Sequence, residues 1–232
     1  PVDDATFWYT NEYIQLSGTA NWRTRIASFQ LATLSLNTPN GGERWAYNTL
    51  NNVLWSSFGI NNLRLELSTD NGSSWSNVTS STSATSGSFG FIVPDVPVET
   101  ARIRVSDVIN TSMNDQSNAS FFMPTGASTI TPSTGNSSTV FPGTGITFSG
   151  NVSSTTSTNV SYYRANNAGG ILPSGIAVAS QYYWIITSSS IVFSNGKVSV
   201  PLAFLIGYSN ANNLVWLKRE SKGAPWQDIG GF

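Results

Sequence analysis

Three groups of residues in this chain have types and spacings suited to chemistry. The first is the run Ser68-Thr69-Asp70-Asn71-Gly72-Ser73-Ser74-Trp75, directly after the alternating segment Leu63-Arg64-Leu65-Glu66-Leu67. Asp70, Asn71 and Gly72 suit the positive φ of a tight turn, the Asp70 carboxylate can accept N–H bonds across the loop, and Trp75 can fold back as an apolar lid. The second is acidic. Asp107 and Asp115, with Asn110 and Asn114 between them, and the pair Asp3-Asp4 offer hard oxygens of the kind calcium takes, although a loop Asp more often caps its own turn. The third is aromatic. Trp8, Trp22, Tyr162, Tyr163, Tyr182 and Tyr183 have faces on which a pyranose ring could stack, with Asn and Asp nearby to bond its hydroxyls. For catalysis the chain is poor. It has no cysteine and no histidine, so thiolate nucleophiles and the usual general base are missing. Glu12, Glu43, Glu66, Glu99 and Glu220 form no recognisable pair of the glycosidase type. The expectation is a non-enzyme without a cofactor, calcium apart.

The Ser-x-Asp-x-Gly-x-x-Trp spacing resembles the Asp-box hairpin of sialidase propellers and of many secreted β-domains. A propeller repeats the box once per blade, whereas this chain carries it once. The box in those families also lies away from the chemistry, so the resemblance implies a structural turn at Asp70, Gly72 and Trp75 and no catalytic residue.

Composition narrows the partners. Of 232 residues 39 % are hydrophobic, 12 % aromatic and only 10 % charged, with a net charge of −1. The polar surface therefore falls to Ser, Thr and Asn, which gives little electrostatic steering toward nucleic acid or anionic lipid. No run approaches the ~20 apolar residues of a membrane-spanning helix. Asn-x-Ser/Thr triplets begin at Asn71, Asn77, Asn110, Asn118, Asn136, Asn151 and Asn159; each is a glycan acceptor by pattern, and in so Asn- and Ser-rich a chain many arise by chance.

The elements that position these groups read as strands. Leu34 and Leu36 share a face, as do Leu63, Leu65 and Leu67, then Phe89, Phe91 and Val93, then Ala101, Ile103 and Val105, with Pro, Asn, Asp and Gly at the breaks. Arg64, Glu66, Arg102 and Arg104 fall on the opposite, solvent-facing side. This period-two pattern predicts an all-β chain of two tandem Ig-like β-sandwiches of about 100 residues each, preceded by an N-terminal strand extension. The ordered series Pro39-Asn40-Gly41-Gly42-Glu43-Arg44-Trp45, Trp55, Leu67 to Trp75, Val93-Pro94-Asp95, Ala101 to Asp107 and Phe121-Phe122 resembles the Ig-like module of the Ser-Thr-rich glycosylphosphatidylinositol-anchor type. Relatives of that module occur in fungal wall-glucan proteins and in bacterial surface proteins. The resemblance covers residues 31–123 and implies a sandwich repeat of secreted or cell-surface proteins, with no catalytic residue to carry over.

Residues 124–138, rich in Pro, Thr, Ser and Gly, read as a semi-extended connector to a second sandwich over 139–232. There Tyr182 to Thr187, Lys197 to Leu205, Asn213 to Arg219 and Pro225-Trp226-Gln227-Asp228 resemble a β-sandwich found near the C-termini of surface proteins of Bacteroidetes-type bacteria, with the closing strand of that pattern expected to be missing. Residues 1–30 are strand-like without a domain of their own. A free strand at one end and an open sheet edge at the other lead to the expectation of a structural subunit of an extracellular filament. Its copies would join head-to-tail by β-strand complementation through Phe7, Trp8, Tyr9, Trp22, Ile26 and Phe29. The alternatives are that residues 1–30 close a preceding domain, and that the chain is a stalk or a polysaccharide-binding fragment of an adhesin.

Overall fold

The computed structural model describes residues 6–14, 22–164, 171–176, 182–201, 215–221 and 223–231. These form an all-β chain of antiparallel sheets, with one 3-10 turn at Ala84–Ser86 and no α-helix among the described residues. The chain divides into two compact units that interleave in sequence. The first holds Pro1–Gly41, Asn52–Phe91 and Ala101–Ser120; the second holds Gly42–Asn51, Ile92–Thr100 and Phe121–Phe232.

The first unit opens on a hairpin of β1 (Thr6–Ile14) and β2 (Trp22–Gln30), antiparallel and in unbroken register from Thr6↔Gln30 to Ile14↔Trp22. One sheet then takes β3 (Thr33–Thr38), β4 (Leu50–Phe58) and β7 (Ser88–Ile92) in the order β3-β4-β7. In another, β5 (Asn62–Ser68) lies between β6 (Ser76–Ser83) and β8 (Val98–Asp107), and β9 (Asn114–Gln116) pairs with β8. Alternation decides which side of each strand is buried. Leu63 and Leu65 on β5 and Ala101, Ile103 and Val105 on β8 are 0 % exposed, and Leu36, Val53, Trp55 and Phe91 are buried with them. Burying a side chain of this size contributes about 1.5–3 kcal/mol, which is what holds such a sheet against its neighbour. Directional bonds then fix the packing. The Trp55 indole donates to the Ala84 carbonyl at 2.8 Å, and the Leu36 N–H of β3 donates to the Asp115 carboxylate of β9 at 2.7 Å.

In the second unit β10 (Phe121–Met123) is short and buried, and Trp45 packs on Phe121 with ring centres 5.0 Å apart. One three-stranded sheet orders β11 (Gly126–Ile130), β14 (Thr158–Arg164) and β15 (Tyr182–Ser188) as β11-β14-β15. Another orders β12 (Gly135–Phe141), β13 (Ile146–Ser154) and β16 (Val192–Ser199) as β12-β13-β16. Phe141, Ile146, Phe148, Val160 and Val200 form its core, with Ile130, Trp184 and Trp216 packed against them. A further pair, β17 (Val215–Lys218) and β18 (Gln227–Gly231), completes the described strands.

Residues 124–138 differ from the connector expected of them. They carry β11 and the first residues of β12, paired to β14 and β13. Ser- and Thr-rich segments that look like linkers in composition also fit the solvated face of an edge strand, where β-branched Thr is favoured. The register decides between these two roles. Likewise Thr6–Ile14 and Trp22–Gln30 are two strands paired with each other, so the inner edge of β1 is already occupied.

Candidate functional site

The turn after β5 is closed by Asp70. Its carboxylate accepts the Ser68 hydroxyl at 2.7 Å, the Ser74 N–H at 2.8 Å and the Ser74 hydroxyl at 2.6 Å. The Ser68 hydroxyl in turn accepts the Gly72 N–H at 2.7 Å. The Ser74 hydroxyl and N–H, followed by Ser68, pull the Asp70 carboxyl down to about 2 from its ordinary 3.8. Asn71 and Gly72 take the positive φ that the tight turn demands. Trp75 does cover something, but its ring lies under the Arg104 guanidinium, 4.4 Å from the ring centre. Arg104 also donates from Nε and Nη2 to Glu66 at 2.9 and 2.7 Å, and Arg64 sits 3.3 Å from the same carboxylate oxygen. Glu66 is consequently buried, although alternation puts it on the solvated side of β5. These groups bond chiefly to one another, although the Arg64 Nε is buried without a hydrogen-bond partner.

The acidic candidates are also committed to the backbone. Asp107 accepts the Ile109 N–H at 3.0 Å, while Asp115 accepts those of Leu36 and Gln116. Asn114 donates to the Thr111 and Ser112 carbonyls. Among the described residues no three His, Cys, Asp or Glu side chains gather as a metal would need. Asn110 lies in the same loop, and Asp3-Asp4 lie outside the described residues. Of the remaining glutamates, Glu99 accepts the Tyr183 hydroxyl at 2.9 Å and Glu220 pairs with Lys218 at 2.7 Å.

The tyrosines proposed as a sugar platform stack on other rings. Tyr162 lies on Trp184 at 5.3 Å, its register partner, and Tyr163 on Tyr183 at 4.8 Å and 4°. Burial, and after it the Glu99 charge, pushes the Tyr163 and Tyr183 hydroxyls far up, so both stay neutral. A shallow depression of about 320 Å³ beside Arg44, Thr49, Asn51 and Ser128 brings together no acid–base pair.

What remains is the hairpin. Opposed residues of an antiparallel pair point to the same side, so the register sorts its side chains into two faces. One face carries Phe7, Phe29, Tyr9 and Ala27 toward the end at Thr6 and Gln30, then Asn11, Arg25, Tyr13 and Arg23 toward the end at Ile14 and Trp22. The other carries Trp8, Ser28, Thr10 and Ile26, then Glu12, Thr24 and the position of Trp22. Phe7 stacks on Phe29 at 5.2 Å, and Arg25 lies over the Tyr13 ring. Every residue from Phe7 to Tyr13 and from Trp22 to Phe29 is exposed, with Trp8 at 67 %, Trp22 at 64 % and Ile26 at 63 %. All six residues expected to drive polymerisation are thus brought onto one ribbon. A two-stranded hairpin with both faces in water is marginal by itself. Contiguous exposed apolar side chains of this kind are typical of interaction surfaces. Reading the sequence did not single out Glu12 on one face and Arg23 and Arg25 on the other. Their assignment to faces follows only once β1 and β2 are known to pair with Phe7 opposite Phe29.

No protein-family model, curated protein or solved structure matches the chain.

Proposed function

We propose that the chain is a structural module of an extracellular or cell-surface assembly, joined to further copies of itself through its N-terminal hairpin. The observation that carries this reading is the hairpin itself, one ribbon with aromatic and aliphatic side chains exposed on both of its faces. Asp70, Asp107, Asp115, Glu66 and Glu99 are engaged with neighbouring groups, whereas β1 and β2 expose apolar side chains on both faces and, among the described residues, pair in a sheet only with each other. The Ser-, Thr- and Asn-rich surface and the secreted-type turn at Asp70 support an extracellular setting. Because β1 and β2 pair with each other, strand donation to a neighbour runs through an outer edge of the hairpin. The test is negative-stain electron microscopy with mass photometry on the full chain and on a form lacking residues 1–30. The full chain forms fibres or concentration-dependent oligomers and the shortened form stays monomeric. Assembly that survives the deletion overturns the reading.

A second reading has its own support. Trp8 and the position of Trp22 fall on the same ribbon face, six residues or about 20 Å apart along the strands, with Thr10, Thr24 and Glu12 between them. That arrangement suits an extended polysaccharide with rings seated on the two indoles and hydroxyls bonded in the middle. A shift of Trp fluorescence on titration with soluble polysaccharides, lost in Trp8→Ala, supports it.

A further inference from the structure

The charges on the hairpin are segregated by face, and this separates the ways in which two hairpins can meet. Arg23 and Arg25 lie on one face of the ribbon and Glu12 on the other, all three in the half nearer Ile14 and Trp22. None of the three forms an ion pair among the described residues. Most of the apolar residues occupy the opposite half, Phe7, Tyr9 and Phe29 on the arginine side and Trp8 and Ile26 on the glutamate side, while Tyr13 beside the arginines and Trp22 beside Glu12 share the charged half. Laying the arginine face of one copy on the arginine face of another, both pointing the same way, sets cation against cation. Laying glutamate face on glutamate face sets anion against anion. Reversing the direction within either pair carries the charges over the aromatic half. Only the arginine face of one copy on the glutamate face of the next, both hairpins pointing alike, brings Arg23 and Arg25 over Glu12 and Phe7, Tyr9 and Phe29 over Trp8 and Ile26 together.

Resting on the assembly reading above, we infer that copies of this chain stack hairpin on hairpin in this face-to-opposite-face manner, with sheets about 10 Å apart. Each copy then uses two different surfaces. The contact is heterologous and does not close on itself unless the rotation makes a ring, so it propagates into a filament. The occupant of each exposed face is the next copy. Charge complementarity sets polarity and register, while the aromatic half supplies the contact area.

Reversing charge on one face at a time tests this. Glu12→Arg makes both faces cationic, and Arg23→Glu with Arg25→Glu makes both anionic. Each variant alone raises the concentration needed for assembly about tenfold or more. An equimolar mixture of the two restores assembly, because each variant presents to the other the charge it lacks. A single chain carrying all three substitutions assembles as the parent does. Melting curves stay those of the parent, since these side chains lie outside the cores. Assembly of either variant at the parent's concentration, or a mixture no better than its components, overturns the stacking mode. If deletion of residues 1–30 still abolishes fibres in that case, the assembly reading stands and the contact runs through the strand edges. If the deletion leaves fibres intact, or the parent stays monomeric at every concentration, both inferences fall.

Discussion

Two hairpins in the first unit have the same local architecture and opposite fates. β5–β6 and β1–β2 are both antiparallel pairs, the first with Leu, Val and Thr along its strands and two register shifts, the second in unbroken register with aromatic residues as well. In β5–β6 the apolar face is closed, with Leu63 and Leu65 fully buried, and even the opposite face is sealed where Arg104 lies between Glu66 and Trp75. In β1–β2 both faces stay in water. The difference teaches that the strand pattern specifies a hairpin, while what covers it is decided by neighbours. β5 has two strand partners in its own sheet and a core beneath it. β1 and β2 have each other.

The comparison is broken most severely at the core. Leu65→Ala is expected to destabilise the fold by about 2–5 kcal/mol in urea denaturation, because it leaves a cavity where no side chain can relax into place. Ile26→Ala, chemically similar and on the exposed ribbon, leaves the denaturation curve unchanged and weakens assembly. Equal destabilisation by the two substitutions removes the distinction between the hairpins. Glu66→Ala comes next. It leaves Arg64 and Arg104 without their shared carboxylate and costs about 1–3 kcal/mol by the same measurement.

The turns sharpen the contrast through pH. Because the folded Asp70 carboxyl titrates at about 2, below its ordinary 3.8, its charged form stabilises the native state. That contribution is complete above the ordinary value and is lost as pH falls through the folded one. The melting temperature of the parent should therefore exceed that of Asp70→Asn at neutral pH, and the gap should narrow between pH 4 and pH 2, as followed by circular dichroism. A gap independent of pH contradicts the role given to the carboxylate. The smallest effect belongs to Trp75→Ala, which removes the ring beneath Arg104 and costs about 0.5–1 kcal/mol.

Much of this was legible in the sequence, for identifiable reasons. Leu63, Leu65, Ile103 and Val105 announce buried faces because strand side chains alternate strictly. The Asp70 turn is legible because Asp, Asn and Gly at those spacings have few other uses. Pairing was harder to read. Nothing local says that Phe7 meets Phe29, that Tyr163 lies against Tyr183, or that Ser- and Thr-rich 126–130 is an edge strand of a sheet. Each of these depends on register between segments separated by loops, and a one-residue slip exchanges the faces. The hairpin's aromatic residues stood out by type, whereas the separation of Glu12 from Arg23 and Arg25 emerges only from the register.

Hydrogen–deuterium exchange of the full chain across a dilution series addresses the hairpin most directly. The account predicts that the amides of residues 6–14 and 22–30 exchange fast at low concentration and become protected as assembly proceeds, while those of β5 and β8 are protected throughout. Hairpin exchange that does not change with concentration while the chain assembles would contradict it.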